Sequence, residues 1–279
     1  MHMQERPAWS RGTMLGGSRV LAALIGLCAL FGLAIGSFLN VVIYRVPRHE
    51  SIVSPRSACP SCGAPILERD NVPVISWLVL RGHCRSCHAR ISIRYPLVEL
   101  TCAGLFAGTA ARFGFNWELP AFLALMAGLL ALACIDAELL ILPKLVVYPS
   151  LGIVGALLLL AAAATGEWHP LLIAVICSVA WFVTFFLLNA ASPRVLGFGD
   201  VRLALLLGLG LGWLGVGYVL LGFFIANLVG AAVGITLMAV GRMERHQQIP
   251  YGVFLSVGTA AAVFAGPQLL APFHHLHFS

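Results

Sequence analysis

Cys134-Ile135-Asp136-Ala137-Glu138-Leu139-Leu140-Ile141-Leu142-Pro143 closes an apolar run that starts near Leu119, and Gly197-Phe198-Gly199-Asp200 stands at the head of another. An ionisable side chain at membrane depth costs at least about 2.5–3.5 kcal/mol, so its presence marks function by default. The runs around these two acids are membrane-like. The chain of 279 residues is 60% hydrophobic and only 10% charged, with a mean hydropathy of +0.94. A soluble core of this length is not so apolar, whereas repeated apolar runs of about 20 residues read as transmembrane helices.

The pattern predicts an all-α polytopic membrane protein with about eight transmembrane helices, over residues 20–44, 96–113, 119–142, 145–164, 170–190, 201–215, 217–240 and 251–272. The first run is too long for a signal-peptide core and lacks a small-residue cleavage site, so it is expected to stay as an anchor after an extracytoplasmic tail, 1–19. With eight spans, thirteen of the seventeen Lys and Arg residues fall on one side: Arg45, Arg48, Arg56, Arg69, Arg81, Arg85, Arg90, Arg94, Lys144, Arg194, Arg202, Arg242 and Arg245. Arg6, Arg11, Arg19 and Arg112 fall on the other. The positive-inside rule makes the first side cytoplasmic. The net charge of +6 thus reports orientation, and no nucleic-acid partner is expected.

The one sizeable polar segment, 45–95, holds Cys59-Pro60-Ser61-Cys62 and Cys84-Arg85-Ser86-Cys87 with 21 residues between the pairs. Each Cys-x-x-Cys turn presents two thiolates, and two turns close a tetrahedral zinc site. Some fifty residues bury little core, so a structural metal would supply folding free energy directly. Disulfides are the alternative, but a cytoplasmic loop lies in a reducing compartment. Cys59, Cys62, Cys84 and Cys87 are therefore the expected ligands in a small zinc-ribbon-like insert. Gly63 and His88, each following a cysteine pair, suit tight turns. Cys28, Cys102, Cys134 and Cys177, single in apolar runs, read as packing residues.

Asp136 lies about 24 Å along a helix counted from Pro120, in the cytoplasmic half of a core about 30 Å thick. Asp200 opens a helix from the same side, so the two carboxylates can meet. Gly197 and Gly199 leave room for another chain to approach. Two apposed carboxylates in a poorly hydrated site share a proton, so one acts as base on a water while the other polarises a carbonyl, which is the chemistry of aspartyl proteolysis. The bland alternative is that each Asp caps a helix or pairs with a cation such as Arg202.

The chain resembles the bacterial type IV prepilin peptidases, also called leader peptidase/N-methyltransferases, from about Gly36 to Gly258. The resemblance is carried by Gly36-Ser37-Phe38-Leu39-Asn40-Val41-Val42-Ile43-Tyr44-Arg45-Val46-Pro47, the four-cysteine loop, Pro73-Val74-Ile75-Ser76-Trp77-Leu78, Ile91-Ser92-Ile93-Arg94-Tyr95-Pro96-Leu97-Val98-Glu99-Leu100, the Asp136 segment and the Gly-Phe-Gly-Asp motif. It implies a GxGD-type intramembrane aspartyl protease of the inner membrane, with an active site facing the cytoplasm, that removes the leader of prepilins or of the pseudopilins of type II secretion. It also implies methylation of the new N-terminal residue from S-adenosylmethionine. Asp136 and Asp200 fall on the catalytic positions, with Gly197, Gly199, Glu138 and Arg202 in support and 96–279 as the peptidase domain. The loop is the methyltransferase-associated region. Three positions depart from the family's usual pattern: Lys144 replaces Asp or Asn, Arg202 replaces Lys, and Val253 replaces Pro.

No glycine-rich nucleotide motif marks a methyl-donor site. Asn40 and Glu99 are polar at membrane depth near the loop, and helix packing is their expected role. The His274-His275-Leu276-His277 tail and His169 read as solvated residues. Two other classes fit parts of the pattern: a proton-coupled transporter with a regulatory metal loop, which predicts an inverted repeat that is not visible, and a noncatalytic zinc-bearing scaffold. Expected partners are prepilins or pseudopilins and the lipid bilayer; the oligomeric state is not legible.

Overall fold

A lipid-embedded chain must close its backbone hydrogen bonds internally, which leaves the helix as the element that such apolar runs form. The computed structural model describes residues 14–54, 56–192, 196–241 and 249–273. It contains α1 (Met14–Arg45), a short α2 (Ile75–Val79), α3 (Arg94–Phe113), α4 (Leu119–Leu139), α5 (Lys144–Thr165), α6 (His169–Ala191), α7 (Phe198–Leu214), α8 (Val216–Ala239) and α9 (Tyr251–Leu270). All eight expected runs are helical. Arg6, Arg11, Arg194, Arg242, Arg245 and the histidine tail lie outside the described residues.

Boundaries differ from expectation where local backbone chemistry intervenes. α1 starts at Met14 rather than Val20. α4 stops at Leu139 because Leu140 turns left-handed, φ 55°, with its N–H on the Asp136 carbonyl. α7 starts at Phe198, so Asp200 sits inside its first turn. Six of the long helices are apolar and long enough to cross a membrane: α1, α4, α5, α6, α8 and α9. The chain is a multi-pass membrane protein. The other two differ for visible reasons: α3 carries Arg94, Glu99 and Arg112, and α7 has 17 residues.

Helices pair through small residues. α1 lies along α3, α6 along α7 and α8 along α9. A Cβ at Gly36 would stand 2.7 Å from the Glu99 Cα, and one at Gly208 2.7 Å from the Ser178 Cα. Only glycine permits these approaches, which replace the hydrophobic drive that lipid cannot supply. Ser178 also donates its hydroxyl to the Leu205 carbonyl at 2.8 Å. The glycines of Leu207–Gly217 do both things the sequence allows: Gly208 and Gly212 seat α6, and Gly215, φ 121°, breaks α7 from α8. α4 and α7 carry the most continuous buried faces, Leu125, Leu132 and Ile135 on one and Leu203, Leu206 and Ala204 on the other. These two central helices carry the acids.

Among the described residues there are no strands, only isolated bridges joining Ala58 to Pro65 and His83 to Arg90. Each bridge closes a cysteine turn.

Candidate active site and metal centre

Three helix ends meet around Leu142: the end of α4, the start of α7 and the start of α9. A Cβ at Gly199 would stand 3.0 Å from Leu142 Cβ, and a Cβ at Gly252 3.0 Å from Leu142 Cδ2. Within this junction Asp136 is 5% and Asp200 8% exposed, and Asp136 is near enough to act on Asp200 through its charge. The Val253 N–H donates to Asp136 Oδ2 at 3.2 Å, and a Cβ at Gly252 would lie 2.9 Å from the same oxygen. Among the described residues no cation lies within ion-pair distance of either acid. Arg202 instead donates Nε to the Phe198 carbonyl at 3.3 Å and lies over the Phe198 ring, 5.4 Å from its centroid.

The expected supporting residues therefore divide. Gly197 and Gly199 flank Asp200, with the Gly197 Cβ direction 3.4 Å from Asp200 Oδ2. Glu138 does not face the pair: its carboxylate accepts from Arg94 Nη1 at 2.6 and 2.8 Å, tying the last turn of α4 to the start of α3. The α9 end was missed. Pro250-Tyr251-Gly252 opens a helix on the same side as both acids, and that was the available signal. Val253 stands where the family usually has proline and supplies an N–H that proline lacks.

In the loop, the two cysteine turns repeat one another. Cys59 N–H donates to the Ala64 carbonyl (2.9 Å) and Gly63 N–H to the Cys59 carbonyl (2.9 Å); Cys84 pairs with Ala89 (2.8 Å) and His88 with Cys84 (3.0 Å) in the same way. Gly63 and His88 take the left-handed φ of 70° and 57° that these turns require. The four Sγ atoms lie within 4.8 Å of one another, and Cys59 Sγ is 3.8 Å from Cys87 Sγ. Zn–S bonds of about 2.3 Å in a tetrahedron set S···S edges near 3.8 Å, so the cage fits zinc. The backbone N–H groups of Cys62 and Ser61 favour the Cys59 thiolate and hold its pKa down at about 6. At Cys87 the Ala89 N–H pulls the same way, but the Cys62 thiol, desolvation, and the thiols of Cys84 and Cys59 together outweigh it and push the pKa up to about 11. A dication among them would favour the thiolate form of all four. Arg85 clamps Asp70 at 2.6 and 2.8 Å and holds its carboxyl below the usual range.

Near the loop, Asn40 Nδ2 donates to the Tyr95 carbonyl at 3.1 Å, and Glu99 Oε2 accepts from the Val74 N–H at 2.7 Å. Asn40 Oδ1 is buried without a partner among the described residues. Cys28, Cys102 and Cys177 are buried, as expected of packing residues.

Two buried acids at one end of a helical membrane bundle, beside a four-cysteine loop, define the kind of protein. Residues 30–113 match the model of the bacterial peptidase A24 N-terminal domain, and residues 123–235, which include both acids, match that of the type IV leader peptidase family. A prepilin leader peptidase/N-methyltransferase of Stutzerimonas stutzeri is 34% identical over 275 residues, covering 88% of this chain and 93% of its own. One of Myxococcus xanthus is 41% identical over 233 residues, 80% of this chain and 67% of its own. One of Pseudomonas aeruginosa is 34% identical over 270 residues, 87% and 91%. No solved structure matches. The chain belongs to the type IV leader peptidase family.

Proposed function

We propose that the chain is an intramembrane aspartyl endopeptidase that removes the leader of prepilins or pseudopilins at the cytoplasmic face of the inner membrane, and that it then methylates the new N-terminus. The convergence of Asp136 and Asp200, both buried and without a cation among the described residues, is the observation that carries the peptidase reading. One carboxylate takes a proton from water as the oxygen attacks the scissile carbonyl; the other, protonated, donates to the carbonyl oxygen. When the tetrahedral intermediate collapses, the C–N bond breaks and the leaving amine takes a proton from the pair. No covalent acyl-enzyme forms. The glycines at 199 and 252 let Leu142 and the Asp136 carboxylate pack against the starts of α7 and α9, which brings the two acids to one junction.

Orientation rests on the distribution of Lys and Arg. We assign residues 45–95 to the methyltransferase-associated region and 96–279 to the peptidase. Cys59, Cys62, Cys84 and Cys87 would hold zinc, whose contribution is folding free energy for the loop. Methylation, with S-adenosylmethionine as donor, rests on what the relatives are named. No side chain is assigned to that donor: Glu99 accepts from the Val74 N–H and Asn40 Nδ2 donates to the Tyr95 carbonyl, while Asn40 Oδ1 is buried without a partner among the described residues.

The test is mass spectrometry of a purified prepilin incubated with the protein, with and without S-adenosylmethionine. Leader loss with no donor and an added methyl only with it are expected. Asp136→Asn and Asp200→Asn should each abolish leader loss while still methylating a pre-trimmed pilin, which shows that they fold. Leader loss in either variant overturns the catalytic assignment.

A further inference from the structure

The cysteine loop carries an apolar face that the peptidase reading does not use. In α2, Ser76 and Trp77 turn inward: Ser76 Oγ donates to the Arg69 carbonyl at 3.0 Å, and Trp77 Nε1 donates to the Ile91 carbonyl at 3.2 Å. Ile75, Leu78 and Val79 turn outward and are 59%, 60% and 69% exposed. Three large apolar side chains on one side of a five-residue helix form a contiguous patch, which an aqueous surface rarely leaves uncovered.

The height of this patch is set by Glu99. Its carboxylate accepts the Val74 N–H at 2.7 Å, and Glu99 lies five residues past Arg94, about 7.5 Å along α3 from its loop-side end. At the same height but on other faces of α3, Leu97 and Leu100 are exposed and apolar, the kind of side chain that a bundle helix turns to acyl chains. α2 thus begins level with an exposed apolar turn of a bundle helix. Val74 takes a left-handed φ of 61°, which β-branched residues rarely adopt, to make the turn into α2. Arg81, two residues past Val79, and Arg90, bridged to His83 on the second cysteine turn, are both exposed and are available to phospholipid headgroups.

We propose that α2 is an interfacial wedge: Ile75, Leu78 and Val79 insert among the acyl chains of the leaflet next to the cysteine loop, with Arg81 and Arg90 at the headgroups. The loop then lies against the bilayer, its metal turns facing water, where Cys62 and Cys87 are exposed. This holds whichever residues catalyse cleavage.

Full-length protein with a photoreactive diazirine amino acid at position 79, and separately at 75, is reconstituted into vesicles of phosphatidylethanolamine and phosphatidylglycerol. The same label at Ser86, exposed on the second cysteine turn, gives the background. All three positions point outward, so folding is not loaded by the label. After irradiation, phospholipid adducts at 75 and 79 should exceed those at 86 several-fold. Adducts at 75 and 79 no greater than at 86, or adducts that form only with an added prepilin, overturn the proposal.

Discussion

A methyl group added at Gly252 would stand 2.9 Å from Asp136 Oδ2 and 3.0 Å from Leu142 Cδ2. The carboxylate would have to move by a few tenths of an ångström, and misplacements of about 1 Å cost roughly a hundredfold in rate. Gly252→Ala should therefore slow leader cleavage about tenfold through kcat, with KM little changed. Gly104→Ala, where nothing lies within 4 Å of the added group, is the control. Equal effects in both would mean that the close approach at 252 has no bearing on the acid. At this scale Asp136 and Asp200 were legible because a carboxylate is costly in an apolar run. Gly252 and Val253 were not, since one acts by lacking a Cβ and the other through a backbone N–H. Arg202 shows the limit of proximity in sequence: two residues from Asp200, it turns to the Phe198 carbonyl and ring.

Between elements, α3 and α4 are joined by the stacked rings of Phe113 and Phe122 and by the Arg94–Glu138 pair, whose side chains are partly exposed. Such a pair contributes about 0.2–1 kcal/mol. Arg94→Glu and Glu138→Arg should each lower the unfolding midpoint in detergent, and the double swap should recover most of the loss. A swap no better than the single changes would mean that the pair does not couple the helices. The α6–α7 seam is less forgiving. At Gly212 an added Cβ would lie 2.7 Å from Cys177 Cβ and 2.8 Å from the Ala174 Cα. Gly212→Leu should cost about 1–3 kcal/mol or more, read as lost protease resistance of the bundle. Helix existence was legible from apolar run length. The end of α4 was not, because the left-handed turn at Leu140 leaves no mark in an apolar sequence.

Across the whole molecule, eight runs announced eight helices, but apolar composition says nothing about which helices neighbour one another. That α4 and α7 occupy the middle emerges only from packing, through the glycines of α7 and the buried leucines of both. The loop was legible in its four-cysteine cluster and tight turns, because cysteine spacing and the residues at 63 and 88 carry that information; its apolar α2 face was not. Structural zinc sites in small domains bind with apparent free energies of about 10–16 kcal/mol, enough to decide whether the fold forms. Cys62→Ser and Cys87→Ser should lower bound zinc to background and open residues 45–95 to protease, with α4 to α9 staying resistant. Full protease resistance of a metal-free loop would contradict a structural metal.

The central claim is that Asp136 and Asp200 act as one unit on one water, and residues that act so give strongly non-additive losses. The direct measurement is the leader-cleavage rate of vesicle-reconstituted wild type, Asp136→Asn, Asp200→Asn and the double variant, each confirmed as folded by its methylation of pre-trimmed pilin. Each single variant should fall to the uncatalysed background, with the double variant no lower. Measurable cleavage by either single variant would contradict the claim.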